Sequence, residues 1–173
     1  AALEKLSDAT LEDLDWIGIY TTHFHAHFMQ YVFKGYAHDK ILTNPTEVIK
    51  SDKPLIIGAG WEPGSSTDLD AVLAANTLGA KALINLTNTD YVYDSDPKKN
   101  PHAKPIERVS WSEYRDIIPP DWNVSGLNTP FDPVASRKAE EYGIEVAIMN
   151  GRDLSNFEHY LKGTSFKGTT IHP

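Results

Sequence analysis

Pro54-Leu-Ile-Ile-Gly-Ala-Gly-Trp-Glu-Pro-Gly-Ser-Ser-Thr-Asp68 leads into a helix-forming stretch. Lys81-Ala-Leu-Ile-Asn-Leu86 then runs straight into Thr87-Asn-Thr-Asp-Tyr-Val-Tyr-Asp-Ser-Asp96. The order reads as strand, glycine-rich hydroxyl loop, helix, strand, polar loop. Each strand is a short apolar run bounded by loop residues, as expected of a strand covered on both faces. Open α/β sheets place ligands beyond the carboxyl ends of their strands, and both loops leave from such ends. The first loop reads as a site for a phosphorylated acceptor, the second as a site for a nucleotide donor.

Working outward, Thr10-Leu-Glu-Asp13 has the form of a capping box. Helical spacing of Leu14, Ile17, Phe24, Phe28, Tyr31 and Val32 predicts a helix over Leu11–Phe33, with Gly35 as its stop. Apolar residues lie off that stripe too, which predicts a second packing surface such as another subunit. Asn44-Pro45 predicts one or two helical turns over Thr46–Lys50. Pro54–Ala59 is expected to be a strand. A helix capped by Thr67 or Asp68 should end at Leu78-Gly79, followed by a strand over Lys81–Leu86. Ser110-Trp-Ser-Glu113 is a second capping box, for a helix reaching Ile118 before Pro119-Pro120. Asp132-Pro133 opens a helix to Tyr142, Ile144–Met149 is a strand, Asp153–Lys162 a helix and Gly168–His172 a short strand. Strands alternating with helices predict a largely parallel sheet covered on both faces.

With 173 residues the chain suits a single domain with a real core, and no composition shift marks a second one. A net charge of −8 and a pI near 5.3 argue against a broad nucleic-acid surface, which needs clustered Lys and Arg. No cysteine is present, which removes disulfides and thiolate chemistry and is compatible with a reducing cytoplasm. No apolar run reaches membrane-spanning length, and no signal peptide is read. The first residue is Ala rather than Met, read as a processed, cloned or clipped start.

In the first loop, Gly58, Gly60 and Gly64 allow close backbone approach. Ser65, Ser66 and Thr67 supply hydroxyls, and the helix that follows offers N–H groups to an anion. A plain strand-to-helix turn with a polar cap accounts for the same residues equally well, and no Lys completes a P-loop. In the second loop, Asn88 can read an adenine edge, Tyr93 can pack on a base, and acids can hold ribose hydroxyls or hydrated magnesium. A solvated turn is the bland alternative. His23 and His27 have i, i+4 spacing that can bind zinc, but His25 faces elsewhere and no carboxylate is suitably spaced, so surface or interface histidines are expected. The four tryptophans (Trp16, Trp61, Trp111, Trp122) are expected to pack, with Trp61 alone in a ligand loop. Lys98-Lys99 reads as a solvated turn.

From Pro54 onward the chain closely resembles the uridylate kinases (UMP kinases) of the amino acid kinase superfamily. Its markers are Pro63-Gly-Ser-Ser-Thr-Asp68, Thr87-Asn-Thr-Asp-Tyr-Val-Tyr93 with Asp96-Pro-Lys-Lys99, and Pro130-Phe-Asp-Pro-Val-Ala135. Asn150-Gly-Arg-Asp153 and Lys167-Gly-Thr-Thr-Ile171 continue the likeness, and Asp15-Trp-Ile-Gly-Ile19 resembles the family's helix whose acid contacts the nucleotide ribose. The resemblance implies a three-layer α/β/α sandwich with a mainly parallel sheet, amino acid kinase type, truncated at its N-terminus. It implies that Asp15 holds the UMP ribose, while Gly60, Trp61, Glu62, Pro63, Gly64, Ser65, Ser66 and Thr67 wrap uracil and phosphate. Thr87, Asn88, Tyr93 and Asp96 would contact ATP. Asp132 would stand near the phosphoryl-transfer centre as a catalytic candidate, although helix capping ahead of Pro133 is the stronger reading of that residue. ATP, UMP and magnesium, a homo-oligomer (often a hexamer) and a cytoplasmic location are implied with it. The two loops are expected to face one cleft. Rival readings are a superfamily kinase for another acceptor, such as acetylglutamate or isopentenyl phosphate, and a non-catalytic nucleotide-binding or storage protein.

This chain departs from the family's pattern at His23 and His25, where Arg and Asn are typical, and at Tyr91, where Gly is typical. The family's opening strand, Gly-Gly-Ser loop with its Lys, and second glycine-rich loop have no counterpart in these residues. Phosphoryl transfer depends on positioning and charge neutralisation, which those segments supply. The 173 residues alone are therefore expected to show little or no kinase activity. A coupled assay measuring UDP formation checks this, and normal turnover defeats it.

Overall fold

The computed structural model describes residues 8–97, 99–120 and 129–173. Trp122 and Lys98 lie outside them. The chain divides into two compact units, Ala1–Leu78 and Gly79–Pro173.

The first unit is built on α1 (Leu11–Val32) and α2 (Thr67–Leu78). Thr10 and Asp13 form the expected capping box, satisfying N–H groups that the first helical turn leaves open. Helix α1 buries only Ile19 and Ala26. The Gln30 side chain ties its far end to the carbonyls of His38 and Asp39, at 3.0 and 2.8 Å. Two sequence expectations fail in the connection. Residues 46–50 make no helix: Asn44 Oδ1 accepts from the Thr46 amide, and Glu47 N–H bonds the Asn44 carbonyl, so a single turn closes there. Pro54–Ala59 is extended but is not a ladder-forming strand. It meets residues 37–42 through two isolated parallel bridges, Ala37↔Leu55 and Leu42↔Gly58. An apolar run lacking a continuous partner has the backbone of a strand without its pairing. A third correction is local. Ser66, rather than Thr67 or Asp68, caps α2, accepting from the Leu69 amide at 3.0 Å.

The second unit carries a four-stranded sheet in the order β1-β5-β6-β4 and a hairpin of β2 with β3. The strands are β1 (Ala82–Thr87), β2 (Val92–Tyr93), β3 (Pro105–Ile106), β4 (Arg108–Ser110), β5 (Glu145–Asn150) and β6 (Thr169–His172). Strands β1 and β5 run parallel from Ala82↔Glu145 to Thr87↔Asn150, and β4 pairs parallel with β6. The β5–β6 pair is antiparallel, so the sheet is mainly, not wholly, parallel. Strand β1 was expected to be covered on both faces. It stands at one end of the sheet order and is half-buried, whereas β5 is buried at Val146, Ala147, Ile148 and Met149.

Three helices complete this unit among the described residues. Helix α3 (Trp111–Ile117) starts at the Ser110 capping box, α4 (Pro133–Glu141) at Asp132 and α5 (Leu154–Leu161) at Asp153. Trp111 and Tyr114 are fully buried. The Trp111 indole N–H donates to the Ile144 carbonyl at 3.0 Å, and the Tyr114 hydroxyl donates to the Phe131 carbonyl at 2.6 Å. Both polar tips are thus satisfied inside the core, as burial of such groups requires. Gly168 sits where a Cβ would come within 2.5 Å of the Ile148 carbonyl, so backbone crowding excludes any side chain there.

Candidate functional site

The first unit organises the glycine-rich loop with side chains from both helices. From α1, Thr22 Oγ1 accepts from the Gly60 amide at 2.8 Å, and His23 Nε2 lies 2.9 Å from the Gly60 carbonyl. A carbonyl can only accept, so that His23 nitrogen carries the proton. A Cβ at Gly60 would stand 3.1 Å from Thr22 Oγ1, which explains the small residue. Asp15 Oδ2 accepts from the Gly64 amide at 3.0 Å. From α2, the buried Asp70 carboxylate accepts from the Trp61 amide at 3.0 Å and from the Ser65 hydroxyl at 2.5 Å. Glu12, Asp15, Trp16, Trp61, Glu62, Pro63 and Gly64 line a shallow recess beside this loop.

Asp15 meets the loop at Gly64, and the recess gathers Asp15 with Trp61, Glu62, Pro63 and Gly64, while Gly60, Ser65, Ser66 and Thr67 flank it in the same loop. The loop's hydroxyls are more committed than the sequence suggested. Ser66 spends its oxygen on the cap, and Asp68 and Asp70 place acid in the first turn of α2, which weakens that helix end as an anion site. Sequence reasoning missed Thr22 and Asp70. Their signal was only that polar residues stand at otherwise ordinary helix positions.

In the second unit, Thr87, Asn88, Tyr93 and Asp96 line one cleft of about 390 Å³, with Thr89, Tyr91, Pro97 and the end of α3 at Ile117–Pro119. The loop is held from below. Thr87 Oγ1 accepts from the Thr89 amide at 3.0 Å, closing a tight turn. The Thr87 carbonyl accepts from Gly151 N–H at 2.9 Å. Thr169 Oγ1 accepts from the Val92 amide at 2.8 Å and donates to the Ile106 carbonyl, so β6 anchors the hairpin. Asp90 is bonded by the Lys167 ammonium and, at 3.0 Å, by the Asn150 amide. Asp94 Oδ1 accepts from the Lys104 amide at 2.9 Å. Tyr91 and Tyr93 meet edge to face at 6.3 Å between ring centroids. Thr129 also lines the cleft, and its buried hydroxyl has no hydrogen-bond partner among the described residues.

Asp132 is buried, and its Oδ1 accepts from the Val134 and Ala135 amides at 2.7 and 2.9 Å. The capping reading of that residue is borne out. Trp111 packs in the core, as expected. Lys99 is exposed in its turn, 3.9 Å from Asp96. Among the described residues, no three His, Asp or Glu side chains converge to hold a metal ion. Asp96 contributes a carboxylate to the wall of the cleft.

Comparison with known proteins gives a consistent picture. A model of the amino acid kinase family matches residues 5–150. The uridylate kinase of Methanospirillum hungatei is 34% identical over 160 residues, covering 91% of this chain and 67% of that relative. The uridylate kinase of Pyrococcus abyssi is 32% identical over 161 residues, covering 92% and 71%. The crystal structure of uridylate kinase from Archaeoglobus fulgidus superposes with a TM-score of 0.80 at 27% identity, over 98% of this chain and 76% of that one.

The Asp90–Lys167 pair makes a pH prediction. The Lys167 ammonium, then the Asn150 amide, hold the Asp90 carboxyl below its ordinary value, and Asp90 raises Lys167. A depressed carboxyl stabilises above its unfolded value, near 3.9, and that contribution is lost as pH falls through the folded value. A raised lysine stabilises below its unfolded value, near 10.4, and loses that contribution as pH rises through the folded one. Asp90→Asn should therefore flatten the fall in thermal midpoint between about pH 5 and pH 3. Parallel melting curves for the variant and the parent would overturn this.

Proposed function

The chain belongs to the amino acid kinase family, and we propose that it carries the acceptor and donor sites of a uridylate kinase, transferring a phosphoryl group from ATP to UMP and yielding ADP and UDP. The observation that supports this best is the gathering of Thr87, Asn88, Tyr93 and Asp96 around one cleft. In this reading ATP occupies that cleft. Tyr93 packs on the adenine, Asn88 reads its edge, Thr87 shapes the loop and Asp96 meets ribose or hydrated magnesium. UMP occupies the recess beside Asp15 and the loop over Gly60–Thr67. Transfer is direct and in line, so the chain's task is to position two nucleotides and exclude water. Magnesium, bound with ATP, neutralises phosphate charge. Asp132 acts near the transfer centre by holding the start of α4, where its buried carboxylate orients neighbouring donors.

Binding separates the sites. In calorimetric titrations Tyr93→Ala should weaken magnesium–ATP by about tenfold, the worth of a lost aromatic contact, and leave UMP unchanged. Loss of UMP affinity in that variant, or stabilisation by a different acceptor while UMP and UTP do nothing, would overturn the assignment.

A homo-oligomer belongs to the same proposal. Helix α1 leaves Ile17, Tyr20, Phe24, Phe28 and Tyr31 exposed by 50, 61, 70, 59 and 74% along one stripe. From Trp16 to Phe33 it carries no Asp, Glu, Lys or Arg. A face with no charge to complement suits a second copy of itself in a two-fold pairing. Light scattering on the eluting peak should give a multimer mass, and a clean monomer would count against it. No helix among the described residues is long and apolar enough to cross a membrane, and a cytoplasmic site of action completes the proposal.

A further inference from the structure

We infer that Asp70 fixes the hydrogen-bonding sense of Ser65, so that the acceptor loop reads a donor on the nucleoside half of its ligand rather than the phosphate. This rests on the acceptor reading above and adds to it the part of the nucleotide that Ser65 recognises.

Asp70 is 8% exposed on the first turn of α2. Its Oδ2 accepts from the Trp61 amide at 3.0 Å, and its Oδ1 accepts from the Ser65 hydroxyl at 2.5 Å. One carboxylate thus draws both ends of the Trp61–Ser65 turn to a single point. Ser65 N–H donates to the Glu62 carbonyl at 3.1 Å, closing the same turn. A serine hydroxyl has one hydrogen and two lone pairs. That hydrogen is spent on Asp70, so half-buried Ser65 presents only lone pairs to a ligand. Phosphate oxygens at neutral pH are acceptors, and two acceptors make no bond. The adjacent carboxylate repels the phosphate as well. Ribose hydroxyls and the uracil N3–H are donors and fit the exposed side of Ser65. Asp70 is a positioning residue, acting through Ser65 and Trp61.

The test compares UMP with uridine, which lacks the phosphate, by chemical-shift titration of the full chain. Ser65→Ala should weaken both by the same factor, about fivefold for one neutral hydrogen bond. Asp70→Asn presents an amide N–H that reverses the Ser65 bond. That leaves Ser65 one lone pair for the ligand and frees its hydrogen, so it should shift UMP and uridine by the same factor, and the double variant should be no worse than Ser65→Ala alone. Ser65→Ala should have no effect on whichever of 2′-deoxy-UMP, 3′-deoxy-UMP and N3-methyl-UMP lacks the donor that Ser65 reads. Because Ser65→Ala leaves the Asp70 bond to the Trp61 amide in place, it keeps the test open even if Asp70→Asn folds poorly. A loss confined to UMP, with uridine unaffected, overturns the inference and leaves the acceptor site standing. Full sensitivity of all three analogues also overturns it. Failure of the parent chain to bind UMP and uridine at all removes the acceptor reading itself.

Discussion

The parallel pairing of β1 with β5 is the constraint on which the cleft around Thr87–Asp96 depends. Register from Ala82↔Glu145 to Thr87↔Asn150 brings the carboxyl ends of both strands to one edge. Two loops then leave side by side, and Gly151 N–H can bond the Thr87 carbonyl. A one-residue slip would turn every side chain of β1 to the other face and separate Thr87 from its partner. Strand β5 resists such a slip because four consecutive residues are buried on it. The polar loop over Thr87–Asp96 inherits that fixed origin. Thr169, Asp90 and Asp94 then shape it through bonds to backbone and to Lys167.

The glycine-rich loop of the first unit is held by a different kind of force. It has few apolar anchors, so directed hydrogen bonds from Thr22, His23, Asp15 and Asp70 set its path. Such bonds contribute only about 1 kcal/mol each on balance, but leaving a buried partner unmet costs more. The loop is therefore held to one shape mainly by the cost of breaking these bonds. From α1, His23 adds an imidazole N–H that grips the Gly60 carbonyl.

Much of this was legible in residues alone. Capping boxes at Thr10 and Ser110, the Asp132 cap and the glycine stops at Gly79, Gly143 and Gly163 are local rules, and the backbone follows them. Thr87, Asn88, Tyr93 and Asp96 could be named because they fall within ten residues whose motif resembles a known family; their chemistry alone reads no better than a solvated turn. The errors arose where a local rule needed a distant partner. Pro54–Ala59 has strand composition but finds only bridges, and Asn44-Pro45 has helix-start chemistry with no helix to start. Asp70, Thr22 and Thr169 were invisible for the same reason. Nothing in a polar residue's own neighbourhood reveals which loop, many residues away, it will hold.

Trp61 and Trp16 both line the recess of the first unit, and Trp16 stacks on Tyr20 at 5.6 Å between ring centroids. Trp111 is sealed in the core of the second unit. Indole emission depends on the polarity around the ring, so the molecule carries its own optical reporter. Occupancy beside Asp15 would alter the colour and intensity of Trp16 and Trp61, while sealed Trp111 would stay constant. The loop that grips the ligand thereby announces its presence without any added label.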